Sequence, residues 1–105
     1  MISVLVVGGD EGLEGLAGHN PSVEVLRASG LEDTLEKLGR NRRIDAVLLL
    51  DREGSRVIVE GIRDDNPAHP PLFLPEGLPK LPGARLLAAR EPGELIDLLL
   101  ASLES

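Results

Sequence analysis

The run AVLLL, which ends the segment from Ile44 to Leu50, constrains the fold of this chain more than any other feature. A strand with one face in water alternates apolar and polar residues, whereas a strand covered on both faces is apolar throughout. Apart from Asp45 the whole segment is apolar, and Asp51 follows it directly. The sequence therefore predicts a buried central strand, covered on both faces, whose carboxyl end is marked by Asp51.

Four further short apolar runs predict strands on either side of this one. They are Ile2 to Val7, Val23 to Leu26, the LFLP of Leu72 to Pro75, and the ARLLAA of Ala84 to Ala89. Each is rich in Val, Ile or Leu, and several are bounded by Gly or Pro, which is typical of strands that end in turns.

Helical periodicity separates most of these runs. Glu11 to Gly18 predicts a short helix weakened by its glycines. Ser29 to Glu32 fits a capping box, and the helix it opens is expected to end at Gly39. Pro92 suits the first turn of a last helix. The apolar stripe of that helix consists of Leu95, Ile96, Leu99, Leu100 and Leu103.

The segment from Ser55 to Asp64 is open to two interpretations. It fits a helix that buries Ile58, Val59 and Ile62, and it also fits one arm of a hairpin with a turn at Glu53-Gly54. We favour the helix, because strands alternate with helices elsewhere in the chain. Six of the eight prolines lie between Pro67 and Pro82, so the stretch between the fourth and fifth strands is not expected to form an ordinary helix.

This order predicts one α/β domain over residues 1–105, a five-stranded parallel sheet with helices on both faces and the fourth helix shortened or absent. In such sheets ligands bind at the carboxyl ends of the strands. The predicted strands bring Gly8, Gly9, Asp10, Asp51, Pro75, Ala89 and Arg90 to that edge.

Composition excludes several functions. The net charge of -7 disfavours nucleic acid and anionic membrane as partners, and a single aromatic residue, Phe73, leaves no platform for stacking bases. The chain has no cysteine, and His19 and His69 are isolated in loop-like stretches, so we expect no metal ligands among them and no cofactor. The basic cluster at 40, 42 and 43 follows a predicted helix, whose dipole favours cations at its end.

The glycines of the opening stretch VLVVGGDEGLEG do not form a phosphate-binding loop. They lack the G-x-G-x-x-G spacing, and Asp10, Glu11 and Glu14 would repel a phosphate where bare amides are needed. We interpret the stretch as a structural turn.

Over nearly its full length the chain resembles the receiver domain of bacterial response regulators, the phosphorylated partners of two-component signal transduction. The resemblance is carried by VLVVGGDE, by IDAVLLLD and by GARLLAAREPGELIDLLLASL. It implies a flavodoxin-like fold. In that family, acids after the first strand and an acceptor Asp after the third hold Mg²⁺, a Lys follows the fifth strand, and a Ser or Thr follows the fourth.

Most of that set is replaced in this chain. Gly8 and Gly9 stand where the acid pair is expected, Pro75 stands near the hydroxyl position, and Arg90 stands at the Lys position. Asp51 is the acceptor-like residue, although Asp45 precedes it by six positions where the family has five. Asp10 is a remaining acid. We expect Asp51 to cap the following turn or to pair with Arg90 or Arg52 rather than to be phosphorylated.

The sequence therefore favours a pseudo-receiver: a cytoplasmic, non-enzymatic signalling or interaction module with a protein partner or a second copy of itself. We expect its interaction surface to involve Leu72, Leu78, Leu81 and Leu98, near the missing fourth helix and on the last one.

Two alternatives remain open. One is an atypical receiver phosphorylated on Asp51 with Mg²⁺, and the other is a small structural subunit such as one in the stalk of a rotary ATPase. No Ser-His-Asp arrangement supports a catalytic residue.

Overall fold

A computed structural model describes residues 2–8, 22–40, 43–50, 54–65, 68–77, 81–88 and 92–104. The five strands are β1 (Ile2–Val7), β2 (Val23–Ala28), β3 (Ala46–Leu49), β4 (Leu72–Pro75) and β5 (Ala84–Leu87). They form one parallel sheet in the order β2-β1-β3-β4-β5. This confirms the predicted parallel α/β architecture with its flavodoxin-like strand order.

The described helices are α1 (Gly30–Arg40), α2 (Ser55–Asp65) and α3 (Pro92–Glu104). The helical interpretation of the segment after Ser55 is confirmed. The residues described between β4 and β5 form turns at Glu76-Gly77 and Pro82-Gly83 and no helix, as the prolines predicted. The predicted helix from Glu11 to Gly18 lies outside the described residues.

Side chains alternate between the two faces of the sheet, and each face has its own core. On one face, Val4, Val6, Leu48 and Phe73 pack with Leu87 and with the buried residues of α3. On the other face, Leu5, Val7, Val47, Leu49 and Leu74 pack with Ile58, Val59 and Ile62 of α2 and with the leucines of α1. Both faces of β3 are therefore covered, which explains its unbroken apolar sequence.

The start of α1 differs from the prediction in the residue that completes the cap. The Ser29 N–H donates to Asp33 Oδ2 at 2.9 Å, and the Ser29 hydroxyl lies 3.4 Å from the same oxygen. Asp33, not Glu32, therefore accepts from Ser29. Gly30 has a φ of 84°, which is not a helical value, so the helical backbone starts one residue later than a box closed by Glu32 requires. The helix also continues past Gly39 to Arg40, whose guanidinium pairs with Glu36 at 2.9 Å.

The amino edge of the sheet is joined by a two-way contact between β1 and the entry to β3. The Ser3 N–H donates to Asp45 Oδ2, and the Asp45 N–H donates to the Ser3 carbonyl, each at 2.8 Å. The Asp45 side chain thus aligns two central strands at the end opposite to the candidate site.

Candidate functional site

Because all five strands are parallel, their carboxyl ends lie along one edge of the sheet, as predicted. The residues described there are Gly8 after β1, Ser29 after β2, Leu50 after β3, Pro75 and Glu76 at the end of β4, and Ala88 after β5. Glu76 is the one carboxylate among these residues, and it is exposed. The described part of the edge is therefore built mainly from backbone and small or apolar side chains.

Gly8 is held in a conformation that disfavours any residue with a side chain. Its φ is 74°, in the left-handed region that L-residues rarely adopt. Its N–H donates to the Ala28 carbonyl at 3.0 Å, while the Leu50 N–H donates to the Val7 carbonyl at 2.8 Å. Backbone hydrogen bonds to both neighbouring strands thus fix the end of β1 in this shape.

Pro75 is the last residue of β4 and is half-buried. It has neither a hydroxyl nor an N–H, so it offers no side-chain or backbone donor to a ligand at this edge. The pairing between β3 and β4 consists of Val47↔Leu72 and Leu48↔Phe73 and stops there. Proline at the end of β4 explains this limit, because it cannot donate the next bond of the ladder.

The remaining predicted site residues fall outside the described residues. They are Gly9, Asp10, Asp51, Ala89 and Arg90. A pair between Asp51 and Arg90 therefore stays a prediction, as does the role of Asp10.

The four leucines predicted to form an interaction surface do not behave alike. Leu72 is 1% exposed and belongs to the core beneath α2, which corrects its assignment to the surface. Leu81 is half-buried and packs against the same core. Leu98 is 38% exposed on α3. Leu78 lies outside the described residues. Leu72 is covered because α2 and Leu81 pack over the sheet on the side where the fourth helix is missing.

A polar cleft near the amino ends of the strands, opposite to the candidate site, was not predicted. It has a volume of about 510 Å³ and is lined by Glu60, Arg63 and Asp64 of α2 and by His69, which precedes β4. Arg63 Nη1 donates to the Pro82 carbonyl at 3.3 Å, and His69 Nδ1 lies 2.7 Å from the Pro70 carbonyl. His69 is half-buried rather than fully exposed in its loop. The spacing of Glu60 and Asp64 on one helix face was the available signal, but it does not reveal the loop that faces them.

Within the described ranges, no group of three or more His, Cys, Asp or Glu side chains is arranged to hold a metal ion. None of the described helices is both long and apolar enough to cross a membrane.

Comparison with known proteins supports the fold and goes no further. No family model matches the chain, and no match is found among curated proteins. Among solved structures, the chain is similar to part of the constitutive lysine decarboxylase of E. coli, with a TM-score of 0.68 and 15% sequence identity. The similarity covers 99% of this chain and 17% of the decarboxylase chain, so this chain spans about a sixth of that protein's length.

Proposed function

We propose that this protein is a non-catalytic, receiver-like module of the cytoplasm that acts by binding another protein and does not carry out phosphoryl transfer. One observation carries the proposal. The carboxyl edge of a flavodoxin-like sheet has Gly8 at φ 74° and Pro75 at the positions where the resemblance implies an acid and a hydroxyl.

The physical argument concerns the number of oxygen ligands. Mg²⁺ takes near-octahedral oxygen coordination and, at sites of this kind, is held by carboxylates together with phosphate oxygens. A glycine offers no carboxylate, and its left-handed φ disfavours a side chain at this position, although Asp tolerates that region better than most residues do. Among the positions that the resemblance assigns to the site, Asp51 and Asp10 are then the carboxylates left in the sequence. With too few ligands, the divalent ion that neutralises an incoming phosphoryl group binds weakly.

Incubation of the whole chain with acetyl phosphate and Mg²⁺, followed by intact-mass measurement, tests the proposal. We expect no increase by the mass of one phosphoryl group, with the variant Asp51→Asn as the matched control. An authentic receiver domain treated in parallel must become labelled, so that a negative result reports on this protein rather than on the reagent.

Stoichiometric labelling that disappears in Asp51→Asn would overturn the proposal in favour of an atypical receiver that uses Asp10, Asp51 and Arg90. Labelling that persists in Asp51→Asn would indicate that another side chain is phosphorylated. The missing ligands at the carboxyl edge of the sheet would then no longer support the proposal.

A further inference from the structure

The sheet ends at β5, and the register determines which backbone groups of that strand face the open side. The Val47 N–H donates to the Pro71 carbonyl, so residues 71 and 73 direct their backbone groups toward β3. Because backbone groups alternate in direction along a strand, Leu72 and Leu74 direct theirs toward β5. With Phe73 opposite Arg85, the Arg85 N–H and carbonyl face Leu72 and Leu74. Ala84 and Leu86 therefore point their backbone groups outward, and the Ala84 N–H is taken by the Leu81 carbonyl at 3.2 Å.

Of the side chains that the structure describes on β5, Arg85 and Leu86 are exposed, so this edge carries one charged residue beside an apolar one. Leu86 is 46% exposed, on the face of the sheet that carries α1 and α2. At the other edge of the sheet, β2 exposes Glu24 and Arg27, one charge of each sign. Charged side chains on an edge strand discourage pairing with another chain, whereas an exposed leucine favours it.

We propose that β5 pairs antiparallel with β5 of a second copy of this chain, around a two-fold axis at Leu86, to form a continuous ten-stranded sheet. The proposal rests on the proposed function as an interaction module, and it identifies the partner and the surface. Antiparallel pairing around a two-fold axis is self-complementary, so it closes as a dimer and does not propagate.

The outward backbone groups require the two-fold axis to pass through a residue, and an axis at Leu86 satisfies this requirement. A two-fold axis between Arg85 and Leu86 would oppose an inward-facing residue to an outward-facing one, so the bonds would not form. An axis at Leu86 lets the two Leu86 residues exchange both of their N–H to carbonyl bonds. The Ala88 N–H of each copy then meets the Ala84 carbonyl of the other, which leaves the bond from Ala84 to Leu81 undisturbed.

Charge favours the same arrangement. Arg85 is exposed and shares the α3 face of the sheet with Leu87. The charged side chains described on α3 are Glu94 and Asp97, both exposed and both acidic. In the dimer, Arg85 lies opposite Leu87 of the second copy, on the face of the sheet that carries α3 of that copy with its acidic side chains. The two Arg85 side chains therefore do not lie opposite each other. The free ends of the enlarged sheet are the two charged β2 strands.

Light scattering coupled to size exclusion, with the full chain at concentrations from micromolar to millimolar, tests the proposal. We expect a mass that rises from 11.2 kDa to about twice that value. Leu86→Lys is expected to remain monomeric over the whole range, because it places a charge on each side of the two-fold axis. Val57→Lys is the matched control, since Val57 is the more exposed residue at 57% and lies on α2.

Hydrogen exchange identifies the surface. The amide of Leu86 should become protected as concentration increases in the natural chain and should stay unprotected in Leu86→Lys. A natural chain that remains monomeric at millimolar concentration overturns the inference, as does a dimer that Leu86→Lys leaves intact. Neither result bears on the phosphorylation test, so the two proposals fail separately.

Discussion

Replacing Gly8 by alanine should destabilise the fold by about 1 kcal/mol. At φ 74° a residue with a Cβ loses roughly 1–2 kcal/mol relative to its preferred conformations. Alanine recovers roughly 0.4–1 kcal/mol because it reduces the conformational freedom of the unfolded chain. The backbone cannot readily rotate to relieve the strain, because the Gly8 N–H is bonded to Ala28.

Urea unfolding followed by circular dichroism measures this difference. With a slope of roughly 1–2 kcal/mol per molar for a domain of this size, the midpoint should fall by roughly 0.5–1 M. Gly39→Ala is the matched control, because Gly39 lies within α1 and a Cβ there would meet no atom within 4 Å. That variant should gain roughly 0.5–1 kcal/mol, as alanine does in a helix.

If Gly8→Ala is as stable as the natural chain while Gly39→Ala gains stability, the conformation assigned to Gly8 is incorrect. The argument that this position resists an acid would then fail as well. Gly8→Asp extends the test, since it should be destabilised and should show no rise in melting temperature on addition of Mg²⁺.

Three further results are expected. The Ser29 N–H, and then Lys37, lower the pKa of the Asp33 carboxyl. Asp33 therefore stabilises the fold at pH values above the ordinary carboxyl pKa, and this contribution is lost as the pH falls through the lowered pKa. The difference in unfolding free energy between the natural chain and Asp33→Asn should shrink on acidification, and a difference independent of pH would contradict the cap. Thr34 is fully buried and its hydroxyl donates to the Gly30 carbonyl at 2.6 Å, so Thr34→Val should cost about 1 kcal/mol in urea unfolding. Ile62→Val should cost about 1 kcal/mol in the same assay because Ile62 is fully buried, whereas Val57→Ala should be nearly neutral, and equal effects would argue against the assigned burial.

The sheet could be predicted because its signal is local. The run AVLLL needs cover on both faces whatever surrounds it, and the prolines after Pro67 exclude a helix before β5 in any context. The burial of Leu72 could not be predicted in the same way. It depends on the position of α2 over the sheet and on Leu81 folding back on it, and neither appears in the residues next to Leu72.

The candidate site was predictable in its placement but not in its geometry. Parallel strands bring their ends together in any such fold, so the position of Gly8 and Pro75 at one edge followed from the order of the elements. The left-handed backbone at Gly8 depends on bonds to β2 and β3, and glycine alone does not indicate which conformation is used. Asp33 was missed for a similar reason, since a shift of one residue in the start of α1 selects a different carboxylate.

The short ladder between β3 and β4 divides the sheet into two parts of unequal cohesion. β2, β1 and β3 are joined along their lengths, whereas β4 and β5 are attached to them by backbone bonds around Val47 and Leu48. The cores formed with α2 and α3 include residues of both parts and so bridge the seam. Because the ladder at this seam is the shortest in the sheet, local opening of the sheet should begin there before it reaches the joints on either side of β1.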